Sequence, residues 1–405
     1  MAVKLLINSL FRGGAEKQFS ALGALLPHDA LFLLENEVLL PPPGKPHFLS
    51  AHNAATPSFL KTAAIPAYAR RLAALTGPGD TVLSFMERAN LVNVLAARRS
   101  GHRAVICERT RPSGEFSGLR GALMRPLIRR LYPEAAAVVA NSRGVRADLE
   151  LNFGVPPAKL SVINNGCDAA AIAELSRRPL DAAWAAVYSR PVICTSGRLT
   201  AAKGQWHLLR IFREVKAAAP GAALVLAGEG ELQDYLAALA AGLGLKTHSG
   251  PGAPPPDADV YFTGFRENPY PFIAKAALFA FTSVWEGFPN SLVEALACGA
   301  PVISADCDSG PREILAPATP FARRAAAPED TACGVLMPPL TPEKLPAGRG
   351  ARPYERAWAK KIAGLLADKA LLEKYSRASL ARAAEFELSK AVPLWRELLE
   401  KGPTT

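Results

Sequence analysis

A chain of 405 residues, 49% of them apolar, is longer than one core comfortably serves and predicts two domains of ordinary size. Six scattered cysteines, with no Cys-x-x-Cys pair and no Cys/His cluster, speak against a disulfide framework or a zinc site and suit reduced thiols in the cytoplasm. The net charge of +11 points toward phosphate-bearing substrates or anionic lipid; without a basic run interleaved with aromatics, nucleic acid is not expected.

The first apolar run, at 3–7, is cut off by Asn8 and Ser9 and reads as a buried strand rather than a secretory signal. Strand-like runs recur at 30–34, 81–85, 104–107, 135–140 and 160–163. A second series follows at 192–195, 223–227, 260–263, 278–282, 301–305 and 334–337. Between them apolar residues take helical spacing, as at 15–26 and 205–218. Alternating strand and helix predicts an α/β protein of two doubly wound, Rossmann-like domains, with ligands at the carboxyl ends of parallel strands. The polar, alanine-rich stretch 169–190 marks the junction, giving domains 1–175 and 176–390. No apolar run is long enough to cross a bilayer. Segment 119–132 has two readings. With Leu119, Leu123, Leu127 and Leu131 on one stripe and Arg125 and Arg129 opposite, it suits either an anionic membrane surface or a helix with its leucines in the core.

Two strand-end loops carry the clearest chemistry. Ser196-Gly197-Arg198-Leu199-Thr200-Ala201-Ala202-Lys203-Gly204 puts two cations five residues apart after a strand. Arginine can fork across two phosphate oxygens, and lysine adds a compact point charge. In the stretch 283–301, Glu286 sits in a Gly/Pro-punctuated loop and Glu294 on the helix that follows. Asn290 is the expected N-cap, Gly299 the terminator, and Pro301 blocks continuation. That helix start offers backbone N–H groups to an anion, with a carboxylate on either side.

These strings, with Ala297-Cys298-Gly299-Ala300-Pro301 closing the second, resemble the Glu-x7-Glu signature of retaining family 4 glycosyltransferases, which have the GT-B fold. The resemblance covers most of the chain and is strongest at 191–315. It implies two domains facing across a cleft, with a final helix in 391–405 returning to the first through Trp395 and Leu398. It places Arg198 and Lys203 on the donor diphosphate, Glu286 on hydroxyls of the transferred sugar and Glu294 on the ribose. The helix start at Phe288, Pro289, Asn290, Ser291 and Leu292 would bring backbone donors to sugar and phosphates. Gly14, in Arg12-Gly13-Gly14-Ala15-Glu16, would lie near the phosphates, while Gly228 and Phe262 flank the nucleoside.

In the first domain, Cys107-Glu108-Arg109-Thr110 resembles the Ser-Glu-Arg-Asn run of a bacterial subgroup that builds capsules, lipopolysaccharide and lipid-linked oligosaccharides. It departs from that run at both ends. Glu108 would face the sugar or acceptor hydroxyl and Arg109 would help hold a phosphate, or the two form a structural salt bridge. The resemblance implies a UDP-hexose or UDP-N-acetylhexosamine co-substrate, a membrane-held glycan or lipid-linked acceptor, and no metal or other cofactor. It also implies a cytoplasmic chain, with membrane contact following the first reading of 119–132. Two alternatives stand beside it: a non-catalytic nucleotide-sugar-binding scaffold of a glycan assembly complex, and a GT-B sugar-nucleotide epimerase.

Overall fold

The computed structural model describes residues 2–250 and 252–401; residues 402–405 of the expected final segment lie outside them. The chain forms two compact units, Met1–Gly166 with Leu388–Thr405, and Cys167–Glu387.

The first unit is built on seven parallel strands: β1 (Ala2–Ile7), β2 (Ala30–Leu33), β3 (Pro46–Phe48), β4 (Asp80–Phe85), β5 (Arg103–Glu108), β6 (Ala137–Ala140) and β7 (Leu160–Val162). Their order is β3-β2-β1-β4-β5-β6-β7. Helices cover both faces, so the strands read as continuous apolar runs rather than alternating ones. Leu6, Val82, Ile106 and Val138 face a core shared with helices Ile65–Ala73, Glu87–Ser100 and Gly118–Leu131. Leu5, Leu83, Phe85, Val105 and Val139 face the other core, which the final helix Leu388–Lys401 closes. There Trp395 stacks on Phe85 with ring centroids 5.6 Å apart. The Arg103 guanidinium donates to the Leu398 and Leu399 carbonyls, at 3.0 Å each, satisfying acceptors that a helix end leaves open.

Eight strands make the second unit: β8 (Val192–Ser196), β9 (Ala223–Ala227), β10 (Thr247–Ser249), β11 (Val260–Phe262), β12 (Leu278–Phe281), β13 (Val302–Ala305), β14 (Glu329–Asp330) and β15 (Gly334–Met337). The order is β10-β11-β9-β8-β12-β13-β15-β14, parallel except for the β14–β15 pair. Helix Gln205–Ala218 is tied to helix Pro353–Ala367 by the buried Arg210–Glu355 ion pair. With Trp206 and Trp358 it covers one face; Trp184, Leu292 and Leu296 cover the other.

Two expectations need correcting. The stretch 169–190 is not a linker. It forms helices Ala169–Ser176 and Ala182–Val187, capped by the Asp168 and Asp181 carboxylates at 2.8 and 2.9 Å. Ile172, Trp184 and Val187 anchor them in the second core, and the units part at Gly166/Cys167. The leucine stripe of 119–132 also does not hold. Gly121, Met124, Ile128 and Leu131 form the buried face of helix Gly118–Leu131, leaving Leu119 93% and Leu123 54% exposed.

Candidate active site

In an open parallel sheet the ligand crevice lies where successive strands leave in opposite directions. In the second unit that point is β8, with β9 on one side and β12 on the other. The loops leaving β8 and β12 are the two charged motifs. They are stitched together: Val284 N–H donates to the Ala202 carbonyl at 2.8 Å, and the Thr282 hydroxyl to the Lys203 carbonyl at 3.2 Å. Gly204, at φ +60°, lies so close that an added Cβ would sit 2.4 Å from the Thr282 carbonyl oxygen. No residue with a side chain fits there.

This stitching brings Lys203 Nζ to 2.6 Å from Glu286 Oε1, with the two side chains 23% and 11% exposed. The ammonium also stands 5.7 Å from the centre of the Phe281 ring. Arg198, in the same loop as Lys203, is exposed, and its carbonyl accepts from Gln205 Nε2 at 2.9 Å. Gly228 touches this loop backbone to backbone: at φ +150°, its missing Cβ would fall 2.1 Å from the Gly197 carbonyl oxygen. Gly228 also bridges Gly264 at the end of β11. The four loops after β8, β9, β11 and β12 thus form one connected rim.

Helix Asn290–Ala297 opens on this rim, but Asn290 is its first residue and not its cap. Pro289 takes the cap position, held where an added Cβ on Gly310 would lie 2.3 Å from its ring. A proline side chain has no acceptor, so the first turn has no side-chain cap. The Ser291 and Ser283 hydroxyls are buried and lack hydrogen-bond partners among the described residues. Gly299, at φ +70°, ends the helix as expected. Glu294 lies beside Tyr270, whose hydroxyl pKa is raised by burial first and then by the charge of Glu294.

Three residues expected on the donor side turn their side chains inward, although for Phe288 and Leu292 the expectation concerned the backbone. Phe262 and Leu292 are core residues, 2% and 0% exposed, and the Leu292 N–H is taken by the Pro289 carbonyl at 3.1 Å. Phe288 packs on the Phe386 ring, with centroids 5.5 Å apart. An apolar residue at a strand end or in a helix's first turn is first of all core, and the motif alone hid this.

At the carboxyl edge of the first sheet, Gly13 caps helix Gly14–Gly23, and Gly14 is its exposed first residue. Directly after β4, which with β1 marks where this sheet changes direction, Met86 has φ +76° and is the only non-glycine residue with positive φ among those described. Asn8 Oδ1 accepts from the Ala89 N–H at 3.0 Å and caps the following helix. No sequence pattern announced either feature.

Glu108 departs from its expected exposure. It is fully buried at the end of β5, accepting from the Tyr132 hydroxyl at 2.7 Å and from the N–H groups of Arg109 and Thr110 at 2.9 and 3.2 Å. It therefore neither faces a ligand nor pairs with Arg109. Arg109 instead lies 4.7 Å over the Phe85 ring and donates to Asn165 Oδ1, while its carbonyl accepts from Asn141 Nδ2 at 2.9 Å.

Known proteins bear directly on this arrangement. The family profile described as "Glycosyl transferases group 1" matches residues 190–345, and "Glycosyltransferase Family 4" matches 26–171. A Campylobacter jejuni relative, N-acetylgalactosamine-N,N'-diacetylbacillosaminyl-diphospho-undecaprenol 4-alpha-N-acetylgalactosaminyltransferase, is 32% identical over 322 residues, 77% of this chain and 82% of its own. The chain belongs to glycosyltransferase family 4. This family 4 glycosyltransferase is also 28% identical, over 79% of each chain, to an uncharacterised glycosyltransferase of Methanocaldococcus jannaschii. Anabaena HepE, solved with UDP and glucose, superposes on the glycosyltransferase with a TM-score of 0.74 at 20% identity, covering 99% of this chain and 100% of its own. Sucrose-phosphate synthase of Thermosynechococcus elongatus gives 0.70 at 16% identity, over 98% and 99%. These likenesses establish the GT-B fold, and the family establishes a glycosyl-transferring enzyme.

Proposed function

We propose that the enzyme moves a hexose or N-acetylhexosamine from a UDP donor to a membrane-held glycan or lipid-linked acceptor, with retention of anomeric configuration. The observation that carries this reading is the Lys203–Glu286 pair at the switch point of the second sheet. Departure of a nucleoside diphosphate builds negative charge on the leaving oxygen, and Lys203 with Arg198 supplies the compensating cations. Glu286 then exchanges its ammonium partner for sugar hydroxyls, so donor binding opens the pair and directs each charge to its own end of the sugar–phosphate bond. Asn290 and Ser291, in the first turn of helix Asn290–Ala297, meet the phosphates, Gly228 lets the donor approach the backbone, and Glu294 takes the ribose diol. Gly14 contributes the corresponding helix start of the first unit.

Retention fits a front-face displacement, in which the leaving phosphate itself draws the acceptor proton and the protein positions and stabilises charge. With two cations on the diphosphate, the reaction needs no divalent ion. Activity surviving excess EDTA agrees with this; complete loss restored by Mn²⁺ contradicts it. UDP is favoured by the UDP-bound HepE structures, and a lipid-linked acceptor by the diphospho-undecaprenol named as the Campylobacter relative's substrate.

The acceptor assignment also draws on helix Gly118–Leu131. Leu119 and Leu123 point outward on an element that carries Arg120, Arg125, Arg129 and Arg130 and no acid, a face suited to anionic lipid. Sedimentation with phosphatidylglycerol vesicles tests this part, and Leu119→Glu with Leu123→Glu should abolish it.

The donor is tested by following UDP, GDP and ADP release across a panel of nucleotide sugars with a membrane-lipid fraction as acceptor. Release of GDP or ADP without UDP would overturn the donor assignment.

A further inference from the structure

The helix Glu87–Ser100 lies against the first sheet with a polar strip where a doubly wound fold ordinarily places apolar residues. Asn90 and Asn93 on the helix, Ser84 on β4, and Tyr132 beyond the next helix are all fully buried, and His102 is 4% exposed. They form one continuous hydrogen-bonded chain. His102 Nε2 meets Asn93 Oδ1 at 2.8 Å, Asn93 Nδ2 meets Ser84 Oγ at 3.0 Å, and Ser84 Oγ meets Asn90 Oδ1 at 2.9 Å. Asn90 Nδ2 then meets the Tyr132 hydroxyl at 3.1 Å, which reaches Glu108 Oε2 at 2.7 Å. The chain runs beneath β5, from the residue before its start to its last residue.

Its direction is forced. The Asn93 amide nitrogen also faces the Val82 and Val105 carbonyls, and that of Asn90 faces the Cys107 carbonyl. Carbonyls only accept, so neither amide can be turned over, and both Oδ1 atoms must receive. His102 Nε2 therefore carries the proton, leaving Nδ1 to accept from the hydroxyls of Ser100 or Thr76 at 2.6 and 3.1 Å. Ser84 must donate to Asn90, and Tyr132, already receiving from Asn90, must donate onward. Every donor points toward Glu108.

We propose that this chain is a positioning relay: aligned donors from His102 to Tyr132 hold the Glu108 carboxylate as an anion, and the anion in turn fixes the Arg109 and Thr110 backbone at the carboxyl end of β5. Aligned hydrogen bonds polarise one another in a low-dielectric interior, so the terminal carboxylate gains more than one isolated phenol would give. The relay answers a real cost. Burial pushes the Glu108 pKa up to about 7, and the charge of Glu87 adds to the push, while Tyr132 and the two backbone N–H groups pull it down. The other charged or titratable groups nearby are Arg109, the Cys107 thiol, raised by burial to about 11, and Arg120, which engages Glu87 at 3.1 Å. At the far end, burial lowers His102 to about 4, so it stays neutral and keeps its single-proton role. Any bearing of the Arg109–Thr110 backbone on transfer rests on the function proposed above; the relay itself does not.

The full chain can be titrated by infrared difference spectroscopy, with the protonated carboxyl band of Glu108 assigned by its loss in Glu108→Gln. The expected midpoint is near 7 in the unmodified protein. Removing the last donor in Tyr132→Phe should raise it by about one unit. Ser84→Ala, a smaller change that interrupts the chain two links away, should raise it by a fraction of that. Arg130→Gln on the outer surface should leave it in place. Unmoved midpoints in both Tyr132→Phe and Ser84→Ala overturn the relay, and Ser84→Ala alone decides if Tyr132→Phe does not fold. The pH profile of nucleoside diphosphate release separates the two layers. An acid limb that moves with the infrared midpoint supports the relay's work in transfer. An unmoved limb beside moved midpoints separates the Arg109–Thr110 backbone from transfer and leaves the relay standing.

Discussion

Both sheets end in a strand-terminal acid of the motif type, Glu286 in the β12 loop and Glu108 on β5, and the two are treated in opposite ways. Glu286 keeps 11% of its side chain exposed and is answered by one long, mobile cation from the neighbouring loop. Glu108 is sealed in and answered by fixed neutral donors. An ammonium can swing away when a ligand competes for it, whereas backbone amides and a locked phenol cannot. The first arrangement suits a charge that must change partners during a reaction. The second suits a charge that must stay where it is.

Substitutions can break that contrast. Lys203→Ala should lower turnover by about two orders of magnitude or more, the usual result of removing a charge stabiliser, with little change in melting temperature; steady-state kinetics beside calorimetry check both. Glu286→Gln should cost about tenfold or more in kcat while UDP affinity, read by calorimetric titration, changes less. Equal losses would place this acid on the nucleotide instead. Gly228→Ala forces a side chain against the Gly197 carbonyl at an unfavourable φ and should cost about 1–3 kcal/mol of stability, measured by denaturant unfolding.

The last expected effect concerns Glu108 and pH. Its folded pKa of about 7 lies above its ordinary 4.5, so between those values the folded chain holds a proton that the unfolded chain has released. Stability from this group is complete below that window and is lost as pH rises through 7. Glu108→Gln should therefore flatten the fall in unfolding free energy between about pH 4.5 and 7. A variant with the unmodified slope would show that another group carries it.

The apolar runs of twelve strands were legible because buried parallel strands are written as unbroken Val, Leu, Ile and Ala. β3, β10 and β14, two or three residues each at sheet edges, are too short to carry a period. The loops after β8 and β12 were legible as chemistry because charge in a glycine-rich turn has few structural uses. Their contact was not, since pairing Lys203 with Glu286 depends on β8 and β12 being neighbours despite the three strands between them in sequence. Asn90 and Asn93 were passed over for a similar reason: two amides three apart on a helix signify nothing until Ser84 and Tyr132 arrive from elsewhere. The alanine-rich stretch 169–190 misled in the other direction, its few large anchors diluted by small neighbours.

The closing helix Leu388–Lys401 has a consequence for biogenesis. Leu5, Leu83, Phe85 and Val105 are made before the unit Cys167–Glu387, yet the helix that shelters them leaves the ribosome only after it. While that unit is being made, the nascent chain therefore carries one uncovered apolar flank, a natural station for a chaperone until the helix arrives.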